Sequence, residues 1–419
     1  MIDLLLILLI AVLGSLIGCM TGLIPGLHVN TIAILLLSAM PFFSSLQNAS
    51  ILLSSLIVSA SISHTFLNIV PSTFIGAPEE DTALVILPAH KMLLEGNGYK
   101  AISLSAMGSL GAIFFSFLIL IPFRFLLGSP FNFYTIFKDI IPWILLAISI
   151  ILIATEKSLE HVIHASAIFF LSGIFGMLIF NLSLSSPIHA PASPLFPALA
   201  GLFGMPTLLL SLKEREIPPQ YIEEAEVDVV EAGKGIGIGT ASGSMVSILP
   251  GVTSAVATII ALVARGKRNK EDTIVTLSAV NTANAFFVVL ALFVVERARS
   301  GAALAIQEMK SILKWDSIMP PPSLCFFLIA IIVAGIIAYY ATKFFGKIIA
   351  KNISSISYPL LGKITMVALS FLVFIFTGIM GICIFIVATF IGLFCLELRV
   401  RRSLCMGVLL LPILITYFL

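Results

Sequence analysis

Leu23-Ile24-Pro25-Gly26-Leu27-His28-Val29-Asn30-Thr31 interrupts an apolar run that starts near residue 3 and resumes as far as residue 43. Proline removes a backbone donor and clashes with the preceding turn, and glycine loosens the chain, so a helix entering this stretch breaks at Pro25-Gly26. The surrounding sequence decides what that break means. Of 419 residues, 59% are hydrophobic and 11% charged, against roughly 25% charged in a soluble domain, so most of the surface is solvated by lipid. Interrupted backbone in hydrocarbon is tolerated only where protein or a water-filled cavity satisfies it. A second break, Ile248-Leu249-Pro250-Gly251-Val252-Thr253-Ser254, lies in the other half of the chain. The fold class that follows is all-α: a polytopic transmembrane helical bundle with two repeats containing Pro-Gly-broken helices.

Apolar stretches fall at about residues 3–22, 27–43, 50–75, 101–121, 140–154, 162–182, 195–211, 235–249, 251–264, 273–295, 323–342, 364–380, 382–396 and 403–419. A crossing needs about 20 helical residues, so 27–43, 235–249 and 251–264 read as half-helices or re-entrant segments, leaving roughly ten full crossings. Met1-Ile2-Asp3 lacks the basic flank and cleavage site of a secretory signal, and the first run reads as a retained span of a multi-pass cell-membrane protein. Arg265, Lys267, Arg268 and Lys270 form the densest short basic loop, which belongs in the cytoplasm. Counting onward, with a tight hairpin through Gly378 and Gly381, brings Lys343, Lys347 and Lys351 and then Arg399, Arg401 and Arg402 to the same side.

Several function classes fall away. A net charge of +2 with no basic stripe interleaved with aromatics gives no footprint for nucleic acid. Cys19, Cys325, Cys383, Cys395 and Cys405 form no C-x-x-C pair and read as small packers, not metal ligands. There is no Walker A sequence for ATP, no H-E-x-x-H helix and no nucleophile elbow, so the chain is not read as an enzyme and no cofactor is expected. Gly233, Gly235, Gly237, Gly239 and Gly243 lack the preceding strand of a dinucleotide fingerprint and read as a face for close helix packing. Glu160, His161 and His164 lack a further metal ligand and read as an interfacial helix end. Pro187, Pro191, Pro194 and Pro197 punctuate a re-entrant or surface loop, and Arg297, Arg299, Lys310 and Lys314 fall in an amphipathic connector expected at the membrane surface.

The acidic polar linker at 212–232 separates a first transmembrane repeat half, 1–211, from a second, 233–419. Ser63-His64-Thr65-Phe66-Leu67-Asn68 through Glu79 can be set against Asn281-Thr282-Ala283-Asn284 through Glu296. Paired, Pro/Gly-interrupted segments in two halves are the sequence mark of a secondary transporter's binding site. Beyond Pro25-Gly26, a half-helix start offers free N–H groups beside His28, Asn30 and Thr31; beyond Pro250-Gly251 the same holds beside Thr253 and Ser254. Such ends suit a carboxylate or phosphate. His64, Asn68, Ser72 and Thr73 either hydrogen-bond between helices or line one cavity with Glu79. Glu79 itself, following Pro78, is either an ordinary acidic helix start or a coupling-cation ligand or proton carrier.

Four stretches, Gly22-Leu23-Ile24-Pro25-Gly26 followed by Asn30-Thr31, Gly76-Ala77-Pro78-Glu79-Glu80-Asp81-Thr82-Ala83, Gly96-Asn97-Gly98-Tyr99-Lys100-Ala101 and Gly201-Leu202-Phe203-Gly204, together with Pro250-Gly251, resemble the large membrane subunit of the tripartite tricarboxylate transporter family, particularly its shorter archaeal-type members. The chain departs from that pattern at Leu87-Pro88-Ala89-His90 and at Thr253-Ser254. The resemblance implies a permease for citrate-like tricarboxylates working with a small membrane subunit and an extracytoplasmic binding protein. The expected function is secondary transport of an anionic solute by alternating access, coupled to Na+ or H+. The alternative is a translocase for a polyprenyl-phosphate-type lipid carrier, in which the same helix ends hold a lipid phosphate.

Overall fold

The computed structural model describes residues 4–418 except 25–28, 44–47, 77–83, 85, 157, 189–192, 213–216, 226, 249–253, 267–268, 310–311 and 355–357. All the regular structure among the described residues is helical. The first part of the chain forms α1 (Leu4–Leu23), α2 (Val29–Ala39), α3 (Ala49–Leu67) continued by α4 (Ile69–Phe74), α5 (Ile86–Leu94) and α6 (Gly98–Leu127). Four helices follow, α7 (Tyr134–Ala154), α8 (Leu159–Phe180), α9 (Leu195–Leu199) and α10 (Met205–Ser211), the last two joined by a π-helical turn. After the linker come α11 (Val229–Val246), α12 (Ser254–Arg265), α13 (Lys270–Val294), α14 (Gly301–Met309), α15 (Pro322–Ile353), α16 (Tyr358–Glu397) and α17 (Gly407–Phe418). Seven of the described helices are long and apolar enough to cross a membrane, α3 and α4 counting together. Continuous α3–α4 and α13 are buried along most of their length, while the other five leave more than half of their apolar window unburied, as lipid-facing helices do.

The two breaks sit in one repeated motif. Glycines a turn apart on α1 let it lie against α3: a Cβ at Gly14 would strike Leu56 and Ser59, at Gly18 Ala60 and Ser63, and at Gly22 Leu67 and Asn68. Contacts advance in step on both helices, so α1 and α3 run parallel, and α2 must carry the chain back between them. The glycine ridge of α11 meets α13 in the same sense, Gly239 against Thr276 to Val280 and Gly243 against Val280 to Asn284. Here α12 is the return. Gly233 faces open space and Gly237 only the Phe115 ring, so the packing face is made by Gly235, Gly239 and Gly243. The sequence reading expected 235–249 to be a half-helix. In the structure α11 starts six residues earlier, because the Asp228 carboxylate caps it, accepting from Val230 N at 2.8 Å and Glu231 N at 3.3 Å, and carries its polar first turns out of the apolar run.

Directions can be read from the contacts. Lys100 pairs with Glu271 at 2.7 Å near the starts of α6 and α13, and Phe117 meets Phe286 further along, so these two are parallel. Gly335 abuts Ile113 and Gly346 abuts Ile102, so α15 is antiparallel to α6. Ile7, Ile51, Leu52, Phe326 and Ile329 cluster together, bringing the first turns of α1, α3 and α15 to one end. Thus α1, α3 and α15 run one way and α6, α11 and α13 the other. The second motif is an inverted copy of the first, and each copy's last long helix packs on the opposite copy, α6 on α13 and α15 on α3.

Lys270 also bonds Glu95. Lys100, Arg265, Lys270, Lys343, Lys347 and Lys351 therefore collect at one end of the bundle, which the positive-inside rule assigns to the cytoplasm. There the described residues of the acidic linker form a strap. Gln220 Oε1 accepts from Gly98 N at 2.8 Å, Tyr221 N donates to Gly96 O at 2.8 Å, and Glu224 joins Ser103 of α6 (2.9 Å) to Lys343 of α15 (2.7 Å). The stretch read as two apolar runs around Gly378 is a hairpin: Gly378 has φ 66°, Phe376 meets Phe196, and Leu369 and Phe385 on either side of the turn share a cluster with Met205 and Leu208.

Candidate functional site

The chain leaves α13 at Val294, meets Asn30 at Ala302, and is back beside α13 where Trp315 N donates to Phe293 O at 2.8 Å. This re-entrant excursion, with α14 as its helical part, faces the first turn of α2. Asn30 Oδ1 accepts from Ala302 N at 2.9 Å, and Ser300 Oγ accepts from Ala303 N at 3.1 Å, so the first turn of α14 has two of its free N–H groups satisfied. Between these elements, α3 and α13 lies a cavity of about 950 Å³, at the upper end of the roughly 300–1,000 Å³ of small-molecule sites.

Corresponding positions of the two motifs meet in its wall. Gly18 sits on Ala60 and Ser63 as Gly243 sits on Val280 and Ala283, and this register pairs Ser61 with Asn281 and His64 with Asn284. All four line the cavity, as do Val29 and Ser254, the first helical residues after the two breaks. The register differs from the sequence pairing of Ser63–Asn68 with Asn281–Asn284, because the return between the paired helices is shorter in the second copy. At the crossing of α3 and α13, Thr65 Oγ1 and Thr282 Oγ1 are 3.1 Å apart. His64 is anchored behind the wall by Thr21 Oγ1, 3.0 Å from its Nδ1.

The expected site residues divide into four groups. Asn30, His64, Ser254, Asn281 and Asn284 are together at the cavity. Asn68, Ser72 and Thr73 are buried further along α3–α4, off the wall; Ser72 Oγ donates to Asn68 O at 2.7 Å, while both polar atoms of the Asn68 amide and Thr73 Oγ1 find no hydrogen-bond partner among the described residues. Thr31 lies in α2. Pro25, Gly26, His28, Glu79, Pro250, Gly251 and Thr253 lie outside the described residues.

The wall also contains residues that the sequence reading placed elsewhere. Arg299, expected at the membrane surface, lines the cavity, and its Nη2 donates to Tyr134 Oη at 2.6 Å. Ser193 and Leu195, from the proline-rich loop, close one side, with Thr416 and Tyr417 of α17 beside them. Among the described lining residues there is no Asp or Glu, and Arg299 is the one Lys or Arg. The cavity extends from the Thr65–Thr282 crossing toward the Val294 end of α13, away from the basic end of the bundle. No group of three or more His, Cys, Asp or Glu that could hold a metal occurs among the described residues.

These features define a multi-pass membrane transporter: long lipid-facing helices, two inverted broken-helix motifs and, where they meet, a largely apolar cavity into which both copies bring polar side chains. The chain belongs to the tripartite tricarboxylate transporter TctA family, whose profile matches residues 8–407. It is also 31% identical over 417 residues to an uncharacterized protein of Methanocaldococcus jannaschii, covering 98% of this chain and 99% of that one. No solved structure matches it. The family makes this a transporter component for tricarboxylates, and nothing in it supports the translocase for a lipid carrier.

Proposed function

We propose that the cavity between α3 and α13 is the solute site of a secondary tricarboxylate permease working by alternating access. The observation that carries this reading is the convergence of corresponding positions, Ser61 with Asn281 and His64 with Asn284, on one cavity whose described wall has no carboxylate. Inverted repeats with broken helices facing each other near the bilayer midplane are the architecture in which one half rocks or slides against the other around a fixed site. Because the cavity reaches from the crossing toward the end opposite the basic loops, this conformation is the outward-facing one. Energy comes from Na+ or H+ entry, since the chain has no ATP motif; the Asn68 amide, without a hydrogen-bond partner among the described residues, is the group to meet a cation. A small membrane subunit and an extracytoplasmic binding protein complete the system, as the family's tripartite name implies.

The test is the melting temperature of the purified protein against citrate and other di- and tricarboxylates, since a ligand that binds only the folded state raises it. Citrate should stabilise the wild type, and Asn281→Ala and Asn284→Ala should lose the response. A wild type indifferent to every carboxylate would remove the reading.

A further inference from the structure

Resting on that reading, we infer that Arg299, braced by Tyr134, is the group that fixes a carboxylate of the solute and so selects anionic over neutral ligands. Three observations converge on this one side chain. The described wall is otherwise amides, hydroxyls, an imidazole and apolar groups, so Arg299 supplies its fixed positive charge. Secondly, the guanidinium has no carboxylate partner among the described residues; its one hydrogen bond goes to the Tyr134 hydroxyl, and its buried Nε has no partner. A guanidinium presents five donors in a planar fork matched to a carboxylate, and the described residues take one of the Nη donors, so a solute carboxylate can meet the others. Thirdly, the neighbouring helix end does not compete for the role. The α14 N–H groups of Ala302 and Ala303 are already taken by Asn30 and Ser300, which leaves the guanidinium as the anion-binding element at this end.

Tyr134 is a positioning residue. It opens α7, outside both repeated motifs, and its hydroxyl accepts from Arg299 Nη2, holding the fork on the cavity side of the loop between α13 and α14. The amide-bearing level at Asn281 and Asn284 lies along α13 from this charge. A polycarboxylate therefore has one ionic anchor at Arg299 and hydrogen-bonding partners for its remaining groups deeper in the bundle. The chemistry required of the ligand is an ionised carboxylate at one end and further polar oxygens along its length.

The experiment is calorimetric titration of the detergent-purified full chain with citrate, beside its neutral trimethyl ester, for the wild type and the Arg299→Gln, Arg299→Lys and Tyr134→Phe variants. Removing a hydrogen-bonded charge partner predicts a loss of roughly 10- to 100-fold in citrate affinity for Arg299→Gln. Arg299→Lys should retain part of the affinity, and Tyr134→Phe should lose a few-fold. Phenylglyoxal labelling of Arg299 in the wild type, read by mass spectrometry, should be slowed by citrate and not by the ester; this arm needs no variant to fold. Wild-type affinity in Arg299→Gln, or labelling that citrate leaves unchanged while Asn281→Ala abolishes binding, overturns the role of Arg299 and leaves the cavity reading intact. A wild type that binds no carboxylate overturns both.

Discussion

Gly243→Ala is a small change placed where the bundle has no room for it. A Cβ there would lie 2.6 Å from Val280 O, 2.9 Å from Asn284 N and 3.0 Å from Ala283 Cβ, whereas non-bonded heavy atoms rest at about 3.5–4.0 Å. Two of the three neighbours are backbone atoms of α13, which cannot rotate away as a side chain can, so α11 and α13 must separate by about 1 Å at this level. Overpacking of this kind costs about 1–3 kcal/mol. The expected result is a fall of several degrees in the Tm of the purified protein, with weakened carboxylate stabilisation, since Asn284 is carried on the displaced backbone. Gly233→Ala is the internal control. It lies in the same helix with nothing within 4 Å of the added carbon, and replacing a helical glycine there should be neutral or stabilise by about 0.5–1 kcal/mol. Equal Tm values for Gly243→Ala and wild type, or equal damage from the two substitutions, would refute the close-packed interface as described.

The Thr65–Thr282 hydrogen bond at the crossing should show a coupling energy of about 0.6 kcal/mol, and no more than about 2, in a double-mutant cycle of Thr65→Val and Thr282→Val; strict additivity would remove it as an interaction. Glu224 supplies a pH test of the linker strap. Burial pushes its carboxyl up, but hydrogen bonds from Lys343, Ser103 and Tyr99 outweigh that and hold it below the usual carboxylate range. A depressed folded value means stability present above the unfolded pKa and lost as pH falls through the folded one. Glu224→Gln should therefore melt slightly lower than wild type at neutral pH, and the gap should close in acid; a gap that widens as pH falls contradicts the assignment.

How far the sequence discloses this arrangement depends on the kind of signal. Long apolar runs were enough for α1, α3–α4, α8 and α13, whose ends fall close to the hydropathy breaks, because lipid contact and helix length are both local properties; α6 and α15 were found too, but run on to Leu127 and Ile353, past the expected ends at 121 and 342. The Gly378 hairpin was legible for the same reason. The start of α11 was not, since Asp228 and Glu231 read as linker until the cap is seen. Asn30 and Ser254 were named as polar residues beside the breaks, and His64, Asn281 and Asn284 from the correspondence that follows them; the fold brings all five to one cavity. Arg299 escaped because nothing in its own neighbourhood distinguishes a charged surface connector from a loop that turns back into the bundle; only its contact with Tyr134, far away in the sequence, does so. The register of the two copies was likewise hidden, because it is set by which glycine meets which turn.

The exchange of last helices has a consequence for how such a chain can come into being. Since α6 lies on α13 and α15 on α3, neither copy encloses its own paired helices, and a half-length ancestor would have been complete only as a pair inserted in opposite orientations.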